Sequence, residues 1–205
     1  MNNFLFIDGS NLYAGQYELF GPDKYLNFLK FIYQIESTLS LHFDTIFFYA
    51  SYSPRPEVLS LEIKKYLTNE ALFYKGVREL SNLVFFKGYR SPTSGKEKEV
   101  DVKLTVDLMR NAYENKFDCV YLMTGDADFL QVLLAIIDLK KDINLLCINN
   151  KIMFKGSYYF KTFIINFLPQ EKKVLFHSKQ KIITFDILKS DVEVCINKKP
   201  PDASI

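Results

Sequence analysis

The chain has 205 residues, of which 48% are hydrophobic and 24% charged, and its mean hydropathy is close to zero. This size and balance indicate one α/β domain, or one domain with an appendage, and exclude a disordered chain. No apolar run is long enough to cross a bilayer, and the N-terminal MNNFLFIDGSN lacks the basic region of a signal peptide. We therefore expect a cytoplasmic protein with no membrane partner.

Charge is distributed unevenly along the chain. Residues 1–150 carry 16 basic against 19 acidic residues, whereas residues 151–205 carry 10 against 5. A basic C-terminal part is compatible with a polyanion partner, although such a bias is more often only a solvated surface. The three cysteines lack CxxC spacing, which favours buried thiols over a zinc site.

Short β-rich apolar runs alternate along the chain with longer stretches of helical periodicity. Strands that are apolar on both faces and separated by helices form a parallel sheet covered on both sides. The sequence therefore predicts a doubly wound, mostly parallel sheet in an α/β/α sandwich. The predicted elements, in chain order, are the strand Phe4–Ile7, the helix Lys24–Leu39, the strand Thr45–Ala50, the helix Glu57–Phe73, the strand Leu83–Lys87, the helix Val100–Glu114, the strand Cys119–Met123, the helix Asp128–Leu139 and the strand Ile143–Ile148.

Three stretches depart from this alternation. Residues 88–99 combine Gly, Pro, Ser and mixed charge without apolar periodicity, and they predict a mobile loop. Ser157–Ile165 predicts a poorer helix or an irregular segment that leads into a short strand near Phe167. After Pro169 the pattern predicts a small β-rich appendage, which divides the chain into a domain at 1–168 and an appendage at 169–205. The short strands predicted there are Lys173–Ser178, Ile182–Leu188 and Val192–Ile196.

Acidic residues follow two of the predicted strands. Asp8 comes after the first strand in IDGSN, and Asp126 and Asp128 come after Cys119–Met123 in TGDADF. The carboxyl ends of parallel strands border the ligand crevice of an open α/β sheet, above all where the strand order reverses. If the order is 3-2-1-4-5, the first and fourth strands are neighbours there and these side chains converge. Asp101 would begin the preceding helix and face the same crevice.

Carboxylates gathered in one cleft repel each other unless a cation neutralises them. Mg²⁺ or Mn²⁺ would do so, because hard divalent cations prefer carboxylate, water and phosphate oxygens. Such ions can activate a water and stabilise the leaving oxygen of a phosphodiester. The two histidines, His42 and His177, lie outside both motifs, so a histidine-based ribonuclease mechanism is not expected.

Each acidic feature taken alone has a simpler interpretation. Asp8 and Asp128 would be helix caps in turns, and Asp101 would complement a helix dipole. Asp107 would be an exposed helix carboxylate or a partner of the site. Two acidic motifs at strand ends, together with a third acid at a helix start, favour a metal site formed by Asp8, Asp101, Asp126 and Asp128.

Polar and basic residues near these acids are candidate substrate contacts. Asn11 and Thr124 would orient Asp8 or a scissile phosphate, and turn chemistry is the alternative. Cations in the predicted loop and on the following helix would hold the backbone of single-stranded RNA, unless they serve only solubility. The candidates are Ser10, Asn11, Thr124, Arg90, Lys98 and Lys103, with Lys96 as a further loop cation.

Three motifs in order resemble the NYN domain, specifically the LabA/DUF88-type branch of the PIN-like nucleases. They are FIDGSNLY at 6–13, KEVDVKLTVDLM at 98–109 and LMTGDADFLQVL at 122–133. The resemblance spans roughly residues 3–168 and implies a parallel-sheet α/β/α fold and RNA cleavage through acids that bind magnesium or manganese. It places Asp8 with Asn11, Asp101, Asp126 and Asp128 at the motif positions.

The chain departs from that family pattern at two places. Glu99 stands where many relatives have Gly, and SYYFKTFIINF at 157–167 lacks an Ala-Asp pair often found there. The principal alternative is a non-catalytic RNA-binding or regulatory module that keeps the fold. A phosphatase with an Asp-x-Asp pair after its first strand has the wrong motif order, and GxGxxG, which a dinucleotide-binding domain needs, is missing. A homo-oligomer is left open.

Overall fold

The computed structural model describes residues 2–91, 97–148, 182–185 and 192–194. Two short 3-10 turns, Gly21–Asp23 and Ala127–Phe129, supplement the regular elements. Those elements are β1 Phe4–Asp8, α1 Gly9–Phe20, β2 Lys24–Leu26, α2 Phe28–Leu39, β3 Thr45–Ser51, α3 Leu61–Val77, β4 Leu83–Arg90, β5 Glu97–Lys98, α4 Val100–Tyr113, β6 Cys119–Met123, α5 Leu130–Asp138, β7 Asp142–Ile148, β8 Ile182–Phe185 and β9 Val192–Val194.

The main sheet has the order β5-β4-β3-β1-β6-β7-β8 and is parallel except for β5, which pairs antiparallel with β4. Chain order runs outward in one direction from β1 to β4 and in the other from β6 to β8. The direction therefore reverses between the neighbouring strands β1 and β6. This confirms the predicted doubly wound parallel sheet and the position of its reversal. A second, two-stranded sheet pairs β2 with β9.

Helices cover both faces of the main sheet. One hydrophobic cluster joins the sheet to α1, α2 and α3, with Tyr13, Phe31 and Phe73 among its buried members. The other joins the opposite face to α4 and α5, with Leu104 and Ile136 fully buried. Alternation along β1 explains the division, because successive strand residues point to opposite faces. In the described part of the chain, no helix has the length and apolar character needed to span a membrane.

The sequence-based prediction missed α1. Its inward face buries Gln16 completely beside Leu12 and Tyr13, so the apolar period that marks a helix is interrupted there. The predicted helix Lys24–Leu39 begins only at Phe28, where the Asn27 side chain accepts from the Lys30 N–H.

The helix predicted from Glu57 likewise starts later than its apolar pattern suggested. Ser60 is its N-cap, and the Ser60 hydroxyl accepts from the Ile63 N–H. The helix then continues to Val77, beyond the predicted end. Both late starts follow from cap residues, which set helix boundaries more sharply than apolar periodicity does.

The predicted loop at 88–99 is partly strand. β4 continues to Arg90, and Tyr89 and Arg90 pair with Lys98 and Glu97 of β5. The prediction was wrong at these positions because a hairpin's cross-strand hydrogen bonds need no apolar periodicity. Residues 92–96 lie outside the described residues.

The C-terminal predictions fall mostly outside the described residues, which include neither Ser157–Ile165 and Phe167 nor Lys173–Ser178. β8 and β9 lie within the other two predicted strands. β8 pairs with β7 in the main sheet, and β9 pairs with β2. The boundary between 1–168 and 169–205 stays a prediction.

Gly9 allows the chain to turn closely over Phe48. A Cβ at position 9 would lie 2.1 Å from Phe48 Cε1, whereas a Cβ at Gly76 in α3 would meet no atom within 4 Å. Because Phe48 is fully buried, its ring cannot easily move aside. We expect Gly9→Ala to lower the free energy of unfolding by about 1–3 kcal/mol and Gly76→Ala to raise it by about 0.5–1 kcal/mol. Urea unfolding would check both, and equal midpoints for the two variants would contradict this account.

Candidate active site at the carboxyl edge of the sheet

Asp8 ends β1 and begins the site. Its side chain is the N-cap of α1, where Oδ1 accepts from the Asn11 N–H at 3.0 Å. Oδ2 accepts from the Thr124 hydroxyl at 2.9 Å. The residue is only 4% exposed, so a carboxylate is held at the end of the sheet by two neutral donors. The helix-cap interpretation of Asp8 is therefore correct for Oδ1, while Oδ2 binds Thr124 instead.

The Thr124 side chain joins the ends of β1 and β6. Its hydroxyl donates to Asp8 and accepts from the Asp126 N–H at 3.1 Å. A second link lies beside it, where Asn11 Oδ1 accepts from the Gly125 N–H at 3.0 Å. Thr124 contacts Asp8 through its side chain, whereas Asn11 contacts Asp8 through its backbone N–H and Gly125 through its side chain. Their predicted orienting roles stay predictions. Both side chains bind the turn after β6 to the turn after β1.

Asp126 and Asp128 belong to that turn. Asp126 is half-buried, and its Oδ1 accepts from the Asp128 N–H at 2.9 Å, a local bond of the kind that stabilises Asx-turns. Asp128 is exposed within the 3-10 turn that precedes α5. The backbone of Asp126 is therefore linked to Asp8 through Thr124, and the side chain of Asp128 faces solvent.

A second polar group lies on the same face of the sheet as Asp8. Tyr49 is the register partner of Asp8 in β3, and its hydroxyl donates to Asp107 Oδ2 at 2.9 Å. Asp107 Oδ1 also accepts from Lys103 Nζ at 2.6 Å. Burial, and then the Asp107 charge, raise the pKa of Tyr49 well above its ordinary value. Asp107 is half-buried, so it is a partner of neighbouring groups rather than an exposed helix carboxylate.

The other predicted site residues lie around these groups. Asp101 is exposed in the first turn of α4, where a carboxylate complements the helix dipole. The Ser10 hydroxyl accepts from the Ser51 N–H at 3.4 Å. Arg90 is half-buried at the end of β4, and the side chain of Lys98 lies outside the described residues. The metal-binding role of Asp101 and the substrate-binding roles of Ser10, Arg90 and Lys98 stay predictions.

The donor chemistry of the site fits a hard divalent cation in part. Mg²⁺ is commonly held by one or two carboxylates and completes its coordination with waters and substrate phosphates. Thr124 links the Asp8 carboxylate to the backbone N–H of Asp126, so two acidic residues of the type in that donor set lie at this edge of the sheet. Within the residues described, no group of three or more His, Cys, Asp or Glu side chains forms a ready cation site. The two remaining predicted ligands, Asp101 and Asp128, are both exposed.

Two contributors to the site were not identified from sequence. Tyr49 was treated only as part of an apolar strand, although its alternation in β3 relative to Phe48 places it on the Asp8 face. Gly125 contributes through its backbone N–H, which carries no side-chain signal. The strand register, once known, is the signal that locates both.

Comparisons with known proteins agree with this architecture. A family model described as NYN domain matches residues 4–159. A solved structure of a protein of unknown function from Vibrio parahaemolyticus superposes with a TM-score of 0.55 at 18% identity, covering 94% of this chain and 96% of that one. That likeness shows a shared fold. The comparison with curated proteins found no match.

Removal of the Thr124 hydroxyl should loosen the site. We expect Thr124→Val to lower the free energy of unfolding by about 1–3 kcal/mol, because a buried carboxylate oxygen and the Asp126 N–H lose their shared partner. Thr124→Ser keeps the hydroxyl and should lose less. Hydrogen exchange would show faster exchange of the Asp126 amide in the valine variant only. Unchanged exchange in Thr124→Val would contradict the bridging role.

The raised pKa of Tyr49 predicts a loss of stability in alkali. Above pH of about 10 the unfolded chain ionises this phenol while the folded chain keeps it neutral, so its contribution is complete below that pH and is lost as pH rises. We expect the unfolding free energy of Tyr49→Phe to fall less steeply above pH 10, by up to about 1.4 kcal/mol per pH unit. Urea titrations at several pH values would measure the two slopes, and equal slopes would contradict the prediction.

Proposed function

The chain belongs to the NYN domain family, which is of nuclease type, and on that premise we propose that it is a metal-dependent ribonuclease acting on single-stranded RNA. The observation that carries the proposal is the junction of Asp8 and Asp126 through Thr124 at the strand-order reversal. Ligands of open α/β sheets bind at this position. The reaction would be hydrolysis of a phosphodiester bond.

The carboxylates of Asp8 and Asp126 would hold a Mg²⁺ or Mn²⁺ ion. When bound, that ion would lower the pKa of a water and stabilise negative charge on the phosphate. Thr124 and the Asn11 N–H fix the two oxygens of Asp8, so little rearrangement is needed when substrate arrives. The Asp128 N–H orients Asp126 in the same way.

The remaining residues are proposed to act around this pair. Asp101 and Asp128, both at the solvent side, would complete the acidic cluster by orienting waters or a further ion. Ser10, Arg90, Lys98 and Lys103 are proposed contacts of the RNA backbone. Lys103 forms an ion pair with Asp107, and its side chain is 37% exposed.

A second candidate is a non-catalytic RNA-binding or regulatory module. The observation in its favour is that the acids already have local roles: Asp8 caps α1, and Asp126 caps its own turn. Such hydrogen bonds stabilise the fold with or without chemistry. The two functions differ in whether charge, beyond hydrogen-bonding capacity, is required at these positions.

Conservative amide substitutions separate these alternatives. Asn caps a helix about as well as Asp, so Asp8→Asn should keep the fold while removing the charge needed for a cation. We expect Asp8→Asn and Asp126→Asn each to reduce cleavage of labelled single-stranded RNA by about 100-fold or more with Mg²⁺ or Mn²⁺. Ca²⁺ should support little turnover, and a chelator should stop the reaction.

Asp118→Asn is the matched control for these substitutions. Asp118 precedes β6 at the opposite edge of the sheet and pairs with Lys141 at 3.6 Å. Its substitution should leave the cleavage rate unchanged. If the wild type and both site variants degrade RNA equally, the activity is a contaminant and the ribonuclease proposal fails. Binding of RNA without metal-dependent cleavage by the wild type would favour the non-catalytic module.

A further inference from the structure

A group of cations and aromatic rings lies on the α3 side of β4, away from the acids. We call it the β4 patch, and it consists of Tyr52, Arg78, Phe85, Lys87 and Tyr89. The Arg78 guanidinium carbon lies 4.5 Å from the centre of the Phe85 ring and 5.7 Å from that of Tyr52. Lys87 Nζ lies 5.1 Å from the Tyr52 ring centre. Two positive groups therefore share one ring.

The positive charges of the patch are not neutralised by ion pairs within the described ranges. In the described ranges, neither Arg78 nor Lys87 forms an ion pair, although both are exposed. Several other lysines there are paired with acids, namely Lys65 with Asp23, Lys103 with Asp107, Lys116 with Glu114 and Lys141 with Asp118. Uncompensated positive charge next to aromatic rings is the combination that binds single-stranded nucleic acid.

A structural role for these cations explains only part of the arrangement. A lysine on an edge strand discourages pairing with another sheet, and Lys87 lies on β4 near the sheet edge. Arg78 is not on a strand but follows α3 as its C-cap residue. Edge protection therefore does not account for a second cation over the same ring.

Tyr89 extends the patch past the carboxyl end of β3, whose last residue Ser51 aligns with Gly88. It lies two residues beyond Lys87, on the same face of β4, and is 54% exposed. The register aligns Lys87 with Ala50, one row beyond the row of Asp8, Tyr49 and Phe86. Two strand spacings separate β4 from β1, or about 10 Å. Asp8 points to the opposite face, so a ligand that touches both must cross the carboxyl edge.

We infer that the β4 patch binds the nucleotides of single-stranded RNA that flank the scissile phosphate. Arg78 and Lys87 contact backbone phosphates, and the exposed ring of Tyr89 stacks on a base. This inference rests on the proposed function for the position of the scissile bond. The strand runs from the Asp8 and Asp126 junction over the ends of β1, β3 and β4 onto the patch. None of these residues belongs to the acidic motifs.

Direct binding measurements test the patch separately from catalysis. Fluorescence anisotropy of a labelled oligouridylate would be measured in the Asp126→Asn background, which prevents cleavage. Lys87→Gln, Arg78→Gln and Tyr89→Ala are each expected to weaken binding by about 3–10-fold at low salt. Each of the two charge removals should also reduce the slope of log affinity against log salt by about 0.7.

Matched variants control for folding and for general charge. Lys87→Arg keeps the charge and should bind as the parent does, while Lys116→Gln removes a lysine at the opposite edge and should have no effect. Parent-like affinity of Lys87→Gln and Arg78→Gln would overturn the inference. Equal displacement of the oligonucleotide by polyglutamate would also overturn it, because stacking would then contribute nothing.

The outcomes distinguish this inference from the proposed function. The patch variants could lose RNA binding while the wild type binds RNA without cutting it. That result would contradict the ribonuclease proposal and support the inference about the patch. The wild type could instead cleave RNA in a metal-dependent way while the patch variants bind RNA normally. That result would support the ribonuclease proposal and contradict the inference about the patch.

Discussion

One hydroxyl group joins the two strand ends that form the candidate active site. The Thr124 side chain donates to a buried carboxylate on one strand and accepts from the backbone of the turn that follows its neighbour. It can do so only because β1 and β6 are adjacent, and they are adjacent because the sheet reverses its winding direction there. A buried polar group that loses its partner is costly, so the strand order and the local geometry stabilise each other.

The cap role of Asp8 is compatible with the cation-binding role proposed for it. A helix cap and a cation ligand can both be a carboxylate at the end of a strand, and only the cap also needs the helix N-terminus beside it. One oxygen serves α1 and the other serves Thr124, so folding presents the acid in a fixed orientation before any ligand arrives. Structural and chemical interpretations of the same residue are therefore compatible. The two interpretations differ in whether the negative charge of Asp8 is required in addition to its hydrogen bonds.

Much of the fold and part of the site could be predicted from the sequence. Apolar runs located β1, β3, β6 and β7 closely, because buried parallel strands leave a continuous apolar signal. Strand order alone predicted that Asp8 and the turn with Asp126 lie at the same edge of the sheet, and Thr124 links them there. The convergence of their carboxylates stays a prediction. Periodicity could not find α1, whose inward face includes Gln16, or the hairpin of β4 and β5. The link from Tyr49 to Asp107 was also inaccessible, because it depends on how α4 lies across the sheet.

The strands β8 and β9 lie beyond the segment that matches the family model, although both belong to its sheets. That segment ends at residue 159, yet β8 borders β7, and β9 completes the small sheet with β2. A fragment cut after the match would leave the N–H and C=O groups of β7 exposed along Leu145–Ile148. An unpaired strand edge of this kind favours pairing with a strand of another molecule. The family motifs therefore lie within residues 4–159, whereas the strands that complete the two sheets lie beyond that segment.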